Sequence, residues 1–228
     1  MAAQGRLTAR PGRAAPRAEP VQGLQELSFA GATARFLAPA AVAKDALPLL
    51  VILHGAGGGP EHALSQVQAQ AERDGFLVLA PRSRAPTWDV IRGGFGADIR
   101  ALDGALGWIG DRYPVKQASI AIGGFSDGAS YALSVGLGNG ELFSDVLAFS
   151  PGFAAPAAIS GRPRIYISHG RRDEVLPFDR CGAALARRLK RGGYDVLFEP
   201  FEDGHVVPVD KVETAIGRWL NAEPAGSR

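Results

Sequence analysis

The chain has 228 residues, about the length of one α/β domain, which argues against two large domains. Hydrophobic residues make up 46% and charged residues 21%, so the composition is that of a folded protein and excludes wholesale disorder. The formal net charge is +2, but the first twenty residues carry +3 and the rest of the chain sums to −1. A nucleic-acid-binding body would present a more basic face, so we expect no nucleic-acid partner.

Cysteine and motif content narrows the class of protein further. The single cysteine, Cys181, excludes an intrachain disulfide and a multi-cysteine zinc site, and we interpret it as a small buried residue. His-Glu-x-x-His, the phosphate-binding P-loop and the dinucleotide fingerprint are all missing, so we expect neither a metal nor a cofactor. No apolar run approaches the ~18–20 residues that span a bilayer. We therefore expect no membrane insertion and a cytoplasmic location.

The chain divides into three parts by composition. Residues 1–22 are rich in Ala, Arg, Pro and Gly without periodicity, and we predict a flexible basic leader. A transit peptide is the alternative for this Arg-rich segment. Residues 23–222 form the predicted single catalytic domain, and residues 223–228 a flexible tail.

Short apolar runs follow the leader and predict strands buried in a sheet. The predicted strands are Leu24–Ala30, Thr33–Ala38, Leu47–Leu53, Phe76–Ala80, Ala118–Ile122, Val146–Phe149, Arg164–Ser168 and Val196–Phe198. The predicted helices between and after them are Glu61–Arg73, Asp98–Tyr113, Ser126–Leu137, Arg180–Arg191 and Val209–Leu220. This alternation predicts an α/β fold, a mostly parallel sheet with helices on both faces. Ligands then bind at the carboxyl ends of the strands.

A Gly-x-Ser-x-Gly motif lies between a predicted strand and a predicted helix, at Gly124, Ser126 and Gly128. A serine on such a sharp turn is forced into strained backbone angles, so its neighbours two positions away must be nearly free of side chain. The turn lifts the hydroxyl clear of the sheet. The motif therefore predicts that Ser126 is a nucleophile, with an ordinary glycine-rich loop as the alternative.

A serine hydroxyl needs a base, and a base of this kind needs an acid to orient it. His169 and His205 follow Ser126, as required where the triad runs in the order Ser, acid, His. His205 follows the last apolar run and is the predicted base, whereas we interpret His169 as a structural, hydrogen-bonded histidine. Asp173 is the predicted acid, and Glu174 is its nearest competitor.

The glycine-rich loop of residues 54–59 follows a buried strand and predicts an oxyanion hole. Glycines let backbone N–H groups approach a developing negative charge. We assign one donor to the Ala56 amide and the other to the Asp127 amide, which follows the predicted nucleophile.

Four segments, LVILHGAGG, GGFSDGAS, ISHGRRDEVLPF and DGHVVPVDKVETAIGRWL, resemble the phospholipase/carboxylesterase branch of the α/β hydrolases, which includes acyl-protein thioesterases. The resemblance spans about Pro48 to Leu220. It implies the α/β-hydrolase fold, with Ser126 as nucleophile, Asp173 as acid and His205 as base. The family commonly has Gln and then Gly-Gly after the serine, where this chain has Asp-Gly-Ala. This departure bears on substrate preference more than on mechanism.

The long stretch from Arg82 to Ala97 follows a strand end, where substrate contacts are common. Apolar side chains here and on neighbouring loops are the predicted substrate pocket: Trp88, Ile91, Phe95, Phe153, Leu176 and Val206. The alternative is that they only pack their loops down. No insertion is long enough for a large cap domain, so we expect an open cleft.

These features together predict a serine carboxylic-ester hydrolase acting on small to medium acyl esters through an acyl-enzyme intermediate. A lysophospholipase or thioesterase, or a polyester- or feruloyl-ester hydrolase, would use the same triad, because acyl transfer does not encode the leaving group. A non-catalytic binding protein of the same fold is a further alternative, disfavoured because all three triad members are present. The expected partner is a small ester substrate, and homodimer formation is left open.

Overall fold

The computed structural model describes residues 4–39 and 46–222. Its centre is one eight-stranded sheet. The strands are β1 (Gly23–Phe29), β2 (Ala32–Ala38), β3 (Leu47–Leu53), β4 (Leu77–Pro81), β5 (Val115–Phe125), β6 (Asp145–Phe149), β7 (Arg164–Gly170) and β8 (Val196–Phe201). The strand order is β1-β2-β4-β3-β5-β6-β7-β8. β1 and β2 pair antiparallel, β2 pairs antiparallel with β4, and the remaining neighbours are parallel. The mostly parallel sheet is therefore confirmed.

Six helices cover both faces of this sheet within the described residues. They are α1 (Pro60–Ser65), α2 (Gln68–Asp74), α3 (Ala97–Gly110), α4 (Asp127–Gly138), α5 (Gly182–Arg191) and α6 (Val209–Leu220). Two hydrophobic cores result, one under α3, α4 and α5 and the other under α1, α2 and α6. Strand β3 shows why the run LPLLVIL is apolar throughout. Leu49 and Val51 face the first core, whereas Leu50 and Ile52 face the second.

The region between β3 and α3 differs in detail from the prediction. The single helix predicted over Glu61–Arg73 is two helices, α1 and α2, because the chain bends at Gln66 and Val67 and buries Val67 in the core. The stretch predicted to be irregular contains one short 3-10 helix, Asp89–Arg92.

The predicted flexible leader requires a correction over residues 4–18, which we call the N-terminal segment. Leu7 is only 2% exposed and belongs to the core beneath α3 and α4. Its N–H donates to Asn139 Oδ1 at 2.9 Å, and the Asn139 amide group donates in turn to the Gly5 carbonyl at 2.8 Å. The segment packs because these contacts connect it to the domain, a tertiary effect that composition does not reveal. The predicted tail, residues 223–228, lies outside the described residues.

No helix in the described part of the chain has the length and apolarity that a membrane crossing requires.

The loops that follow β3, β5, β7 and β8 meet at one edge of the sheet, because parallel strands end on the same side. Every residue that the sequence assigned to the triad or the oxyanion hole lies on these loops or at the adjacent start of α4.

Candidate active site

Ser126 lies on a sharp turn between β5 and α4, with φ 57° and ψ −118°. A non-glycine residue rarely adopts a positive φ, so this turn is strained and is held by its surroundings. The turn requires glycine at positions 124 and 128, because neither position has room for a side chain. A Cβ at Gly124 would lie 2.7 Å from the Leu53 carbonyl oxygen, and one at Gly128 would lie 2.3 Å from the same atom. The glycines therefore let the turn approach β3.

The side chains of Ser126, His205 and Asp173 form a hydrogen-bonded chain. His205 Nδ1 lies 2.6 Å from Asp173 Oδ2, and His205 Nε2 lies 2.9 Å from Ser126 Oγ. The carboxylate can only accept, so Nδ1 carries the proton and Nε2 is left to accept from the serine hydroxyl. The Phe125 ring packs against the imidazole with ring centroids 4.7 Å apart.

The acid and the base meet because their strands are neighbours. β7 and β8 pair in parallel, and the loops after them are in direct backbone contact. The Arg172 N–H donates to the Asp203 carbonyl at 3.0 Å, and a Cβ at Gly170 would lie 2.2 Å from the Gly204 carbonyl oxygen. The absence of a side chain at Gly170 thus allows the two loops to touch. Glu174, the competitor for the acid, is exposed beside them.

Asp173 is held by donors on both of its oxygens. Its Oδ1 accepts from the Val175 N–H at 2.9 Å and from the Leu176 N–H at 2.8 Å, which leaves Oδ2 for His205. Burial opposes the charged form, but the hydrogen bonds from His205 and from the Leu176 and Val175 amides outweigh it and lower the pKa of the Asp173 carboxyl. The side chain has no exposed surface, so the site holds a buried, ionised carboxylate beside an imidazole that is 15% exposed.

Two backbone amides border Ser126 without an acceptor. Within residues 4–39 and 46–222, neither the Ala56 N–H nor the Asp127 N–H donates to a protein carbonyl or side chain. A Cβ at Gly55 would lie 3.4 Å from Ser126 Cβ, so the glycine-rich loop passes directly beside the serine. This is the placement that an oxyanion hole requires.

His54 orients this loop, a role that the sequence analysis did not assign. Its Nδ1 lies 2.7 Å from the Gly55 carbonyl oxygen, and its Nε2 accepts from the Ser83 N–H at 3.0 Å. In a trans peptide the carbonyl and the following N–H point in opposite directions. Since the Gly55 carbonyl turns to His54, the Ala56 N–H turns away from it. Burial lowers the pKa of His54, which favours its neutral form. Its position directly after an apolar run was the available signal.

The structure corrects part of the predicted substrate pocket. Trp88 is 2% exposed, stacks on Tyr131 with ring centroids 4.9 Å apart, and donates its indole N–H to the His54 carbonyl at 2.9 Å. Phe95 is buried against Tyr131, and Ile91 packs against the same core. The alternative prediction, in which these side chains pack the stretch from Arg82 to Ala97 against the core, describes them better. Through Trp88 they also support the loop after β3.

The other three predicted pocket residues lie nearer the surface. Val206, the residue after His205, is 42% exposed. Leu176 is half-buried, and its side chain packs closely against Gly152: a Cβ built on that glycine would lie 3.2 Å from it. Phe153 is half-buried and lines a cavity of about 280 Å³ with Ala154, Arg180 and Leu185.

Asp127, the residue that departs from the family pattern, is connected to the neighbouring loop. Its Oδ2 accepts from the Thr87 hydroxyl at 2.5 Å. The same loop is joined to the glycine-rich loop, because the Gly57 N–H donates to the Pro86 carbonyl at 2.7 Å. The acidic side chain therefore has a structural partner beside the serine.

A strained serine between a parallel strand and a helix, with histidine and aspartate on later strand ends, defines an α/β hydrolase. A sequence profile described as Phospholipase/Carboxylesterase matches residues 107–219, about half of the chain. The protein belongs to the phospholipase/carboxylesterase family of this fold. No match was found among curated protein sequences.

Solved structures give the same fold at low sequence identity. Esterase PE8 is 22% identical, with a TM-score of 0.65 over 86% of this chain and 97% of that one. The Bacillus cereus carboxylesterase is 18% identical, with a TM-score of 0.64 over 84% and 95%. Esterase 2 of Thermogutta terrifontis, in a structure described as phosphorylated by paraoxon, is 18% identical, with a TM-score of 0.60 over 80% and 84%. All three are α/β hydrolases similar to this chain along most of its length.

Proposed function

We propose that this protein is a serine carboxylic-ester hydrolase that acts on small to medium acyl esters through an acyl-enzyme. The observation that carries the proposal is the hydrogen-bonded chain from Ser126 Oγ through His205 to Asp173, starting at a strained strand-to-helix turn. The family match supports hydrolysis of a carboxylic ester but does not identify the substrate.

The geometry supports a two-step reaction. His205 Nε2 takes the Ser126 proton as Oγ bonds to the ester carbonyl carbon, and the carbonyl oxygen becomes an oxyanion. The Ala56 and Asp127 amides donate to that oxyanion. When the oxyanion collapses, the C–O bond to the alcohol breaks, and the alcohol leaves with the proton from His205. Water then repeats the steps through the same base and releases the carboxylic acid and the free serine.

The surroundings of the triad favour an open acyl site. The described loops at this edge contain no inserted helical domain, and Val206 is exposed beside His205. Leu176 and Phe153 offer further apolar surface on the adjacent loops. An open site lined by a few apolar side chains suits short acyl chains better than long ones, since little surface is available to bury a long chain.

A panel of nitrophenyl esters from acetyl to palmitoyl tests this proposal. We expect the highest kcat/KM on the short and medium chains, and Ser126→Ala to lower kcat by about four powers of ten. Ser65→Ala, on the exposed face of α1, is the matched control and retains the parent rate. Fastest turnover of palmitoyl esters would favour a lysophospholipase or long-chain thioesterase instead. An absence of hydrolysis across the panel and across acyl thioesters would contradict the proposal.

A further inference from the structure

A second histidine, His169, lies against Asp173, the proposed triad acid. His169 is the penultimate residue of β7, and its side chain is completely buried. Its Nε2 lies 3.1 Å from Asp173 Oδ2, the oxygen that also accepts from His205, and 2.8 Å from the Leu176 carbonyl oxygen. Asp173 Oδ2 therefore faces two imidazoles.

The protonation state of His169 follows from its partners. The Leu176 carbonyl can only accept, so Nε2 carries a proton and donates it to that carbonyl, with Asp173 Oδ2 3.1 Å from the same nitrogen. Nδ1 has no hydrogen-bond partner among the described residues. A second proton on Nδ1 would be buried without an acceptor, which is costly. Burial also lowers the pKa of His169, and the ring is a neutral donor.

The protein makes room for this ring. A Cβ at Gly182, the first residue of α5, would lie 2.4 Å from His169 Nδ1. The Phe178 ring packs edge-on against the imidazole, with ring centroids 6.0 Å apart. The imidazole is thus held in one orientation by the helix start on one side and by the acid loop on the other.

We infer that His169 is a positioning residue for the proposed triad: its neutral imidazole donates to the Leu176 carbonyl of the acid loop and places Nε2–H beside Asp173 Oδ2 without cancelling the carboxylate charge. A charged histidine here would neutralise Asp173 and weaken its attraction for the imidazolium that forms on His205 during the reaction. A neutral donor orients Oδ2 and leaves most of the negative charge directed at His205. The inference rests on the proposed function, because it assigns His169 a part in that reaction.

The pH dependence separates this role from simple packing. The titratable groups that face Asp173 are His169 of β7, His205 after β8 and Cys181 before α5. Burial raises the pKa of the Cys181 thiol, and the nearby Asp173 raises it further, so the thiol stays neutral. Without the His169 N–H, less of the negative charge on Asp173 is offset at Oδ2. The acid limb of the kcat/KM profile then moves to higher pH.

The test compares His169→Leu with His169→Gln. A glutamine amide nitrogen is separated from Cβ by as many bonds as histidine Nε2, so glutamine can restore the donor, whereas leucine only fills the space. We expect His169→Leu to lower kcat by about tenfold or more with KM little changed. We also expect its acid limb to move to higher pH, and His169→Gln to recover most of both properties. Rates are expressed per active site, titrated with an organophosphate, so that misfolded protein does not count.

The rate of organophosphate labelling of Ser126, measured against pH, provides a second readout without ester turnover. If the parent enzyme is neither labelled nor active on esters, the proposed function fails, whatever His169 does. If the parent is labelled and active, an unchanged rate and pH profile in His169→Leu overturns the inference. Equal losses in the leucine and glutamine variants, with an unmoved acid limb, also overturn it, because they indicate packing alone.

Discussion

Two aspartates in different regions of the molecule accept hydrogen bonds in the same way. In the acid loop, Asp173 Oδ1 accepts from the consecutive amides of Val175 and Leu176 at 2.9 and 2.8 Å. On α3, Asp103 Oδ1 accepts from the consecutive amides of residues 8 and 9 at 2.7 and 2.8 Å. In both regions a carboxylate holds a short stretch of backbone in place.

The second oxygen of each carboxylate makes the difference. Asp173 Oδ2 faces His205 and His169 and is buried, whereas Asp103 Oδ2 accepts from the Thr8 hydroxyl at 2.5 Å on a half-exposed surface. One carboxylate thus connects to the Ser126 hydroxyl through an imidazole, and the other fastens the N-terminal segment. The same anchoring contacts therefore hold two carboxylates, and only Asp173 is also connected through an imidazole to a serine hydroxyl.

The largest expected effect comes from making the same change at both aspartates. Asp173→Asn should lower kcat by about four powers of ten, because an amide can donate to His205 and favour the wrong tautomer. Asp103→Asn is the matched control and should keep kcat within about twofold, since Asn Oδ1 still accepts from the two amides. Initial rates on a nitrophenyl ester check both. Similar activity in the two variants would contradict the different roles of Asp173 and Asp103.

The next largest effect is on stability and concerns the N-terminal segment. Leu7→Ala should lower the free energy of unfolding by about 2–5 kcal/mol, because it empties a buried leucine site. Leu24→Ala is the control, because Leu24 is 50% exposed and its truncation leaves no cavity. Urea unfolding provides the measurement, with kcat of the folded protein unchanged in both variants. Equal stability of the two variants would show that the segment does not pack as described.

A smaller effect on catalysis is expected from the loop after β3. His54→Leu removes the imidazole donor to the Gly55 carbonyl and leaves the Gly58 N–H as the remaining donor, so the Ala56 amide is held less firmly. We expect kcat to fall by about tenfold or more while KM changes little, since the oxyanion forms only in the reaction. His62→Leu, at an exposed histidine of α1, should match the parent enzyme. A parent-like kcat in His54→Leu would contradict the orienting role.

The smallest effect is a pH dependence of stability. Burial lowers the pKa values of His54 and His169, so the folded state binds fewer protons at these rings than the unfolded state does below about pH 6.5. The stability that the neutral His54 and His169 rings contribute is therefore fully present above about pH 6.5, and it is lost as pH falls below that value. Thermal midpoints between about pH 8 and about pH 5 should fall less steeply in His169→Gln than in the parent. An unchanged slope would contradict this, and His62→Gln should leave the slope as it is.

The sequence predicted which polar side chains meet at one edge of the sheet better than it predicted the packing of the loops. Ser126, Asp173 and His205 lie on the loops that follow parallel strands, so parallel pairing brings these loops to one edge. Trp88 and Phe95 could not be placed in this way, because an aromatic side chain on a long loop packs inward or lines a pocket according to distant partners such as Tyr131. The placement of a side chain that depends on long-range contacts is therefore harder to predict from the sequence than the position of a strand end.

The same limit explains the N-terminal segment and His169. Leu7 is one apolar residue among arginines, and its burial depends on Asn139, more than a hundred positions away. The sequence predicts that His169 is a structural, hydrogen-bonded histidine. Its contact with the acid depends on how the loop to Asp173 folds back, which residue types do not encode.

Trapping the covalent intermediate tests the central claim most directly. The parent enzyme is mixed with nitrophenyl butyrate, quenched in acid within the first turnovers, and digested for peptide mass mapping. We predict one butyryl group per chain, on the Ser126 hydroxyl, and none in Ser126→Ala. A butyryl group on another side chain, or steady hydrolysis with no covalent species on Ser126 at any quench time, would contradict the account.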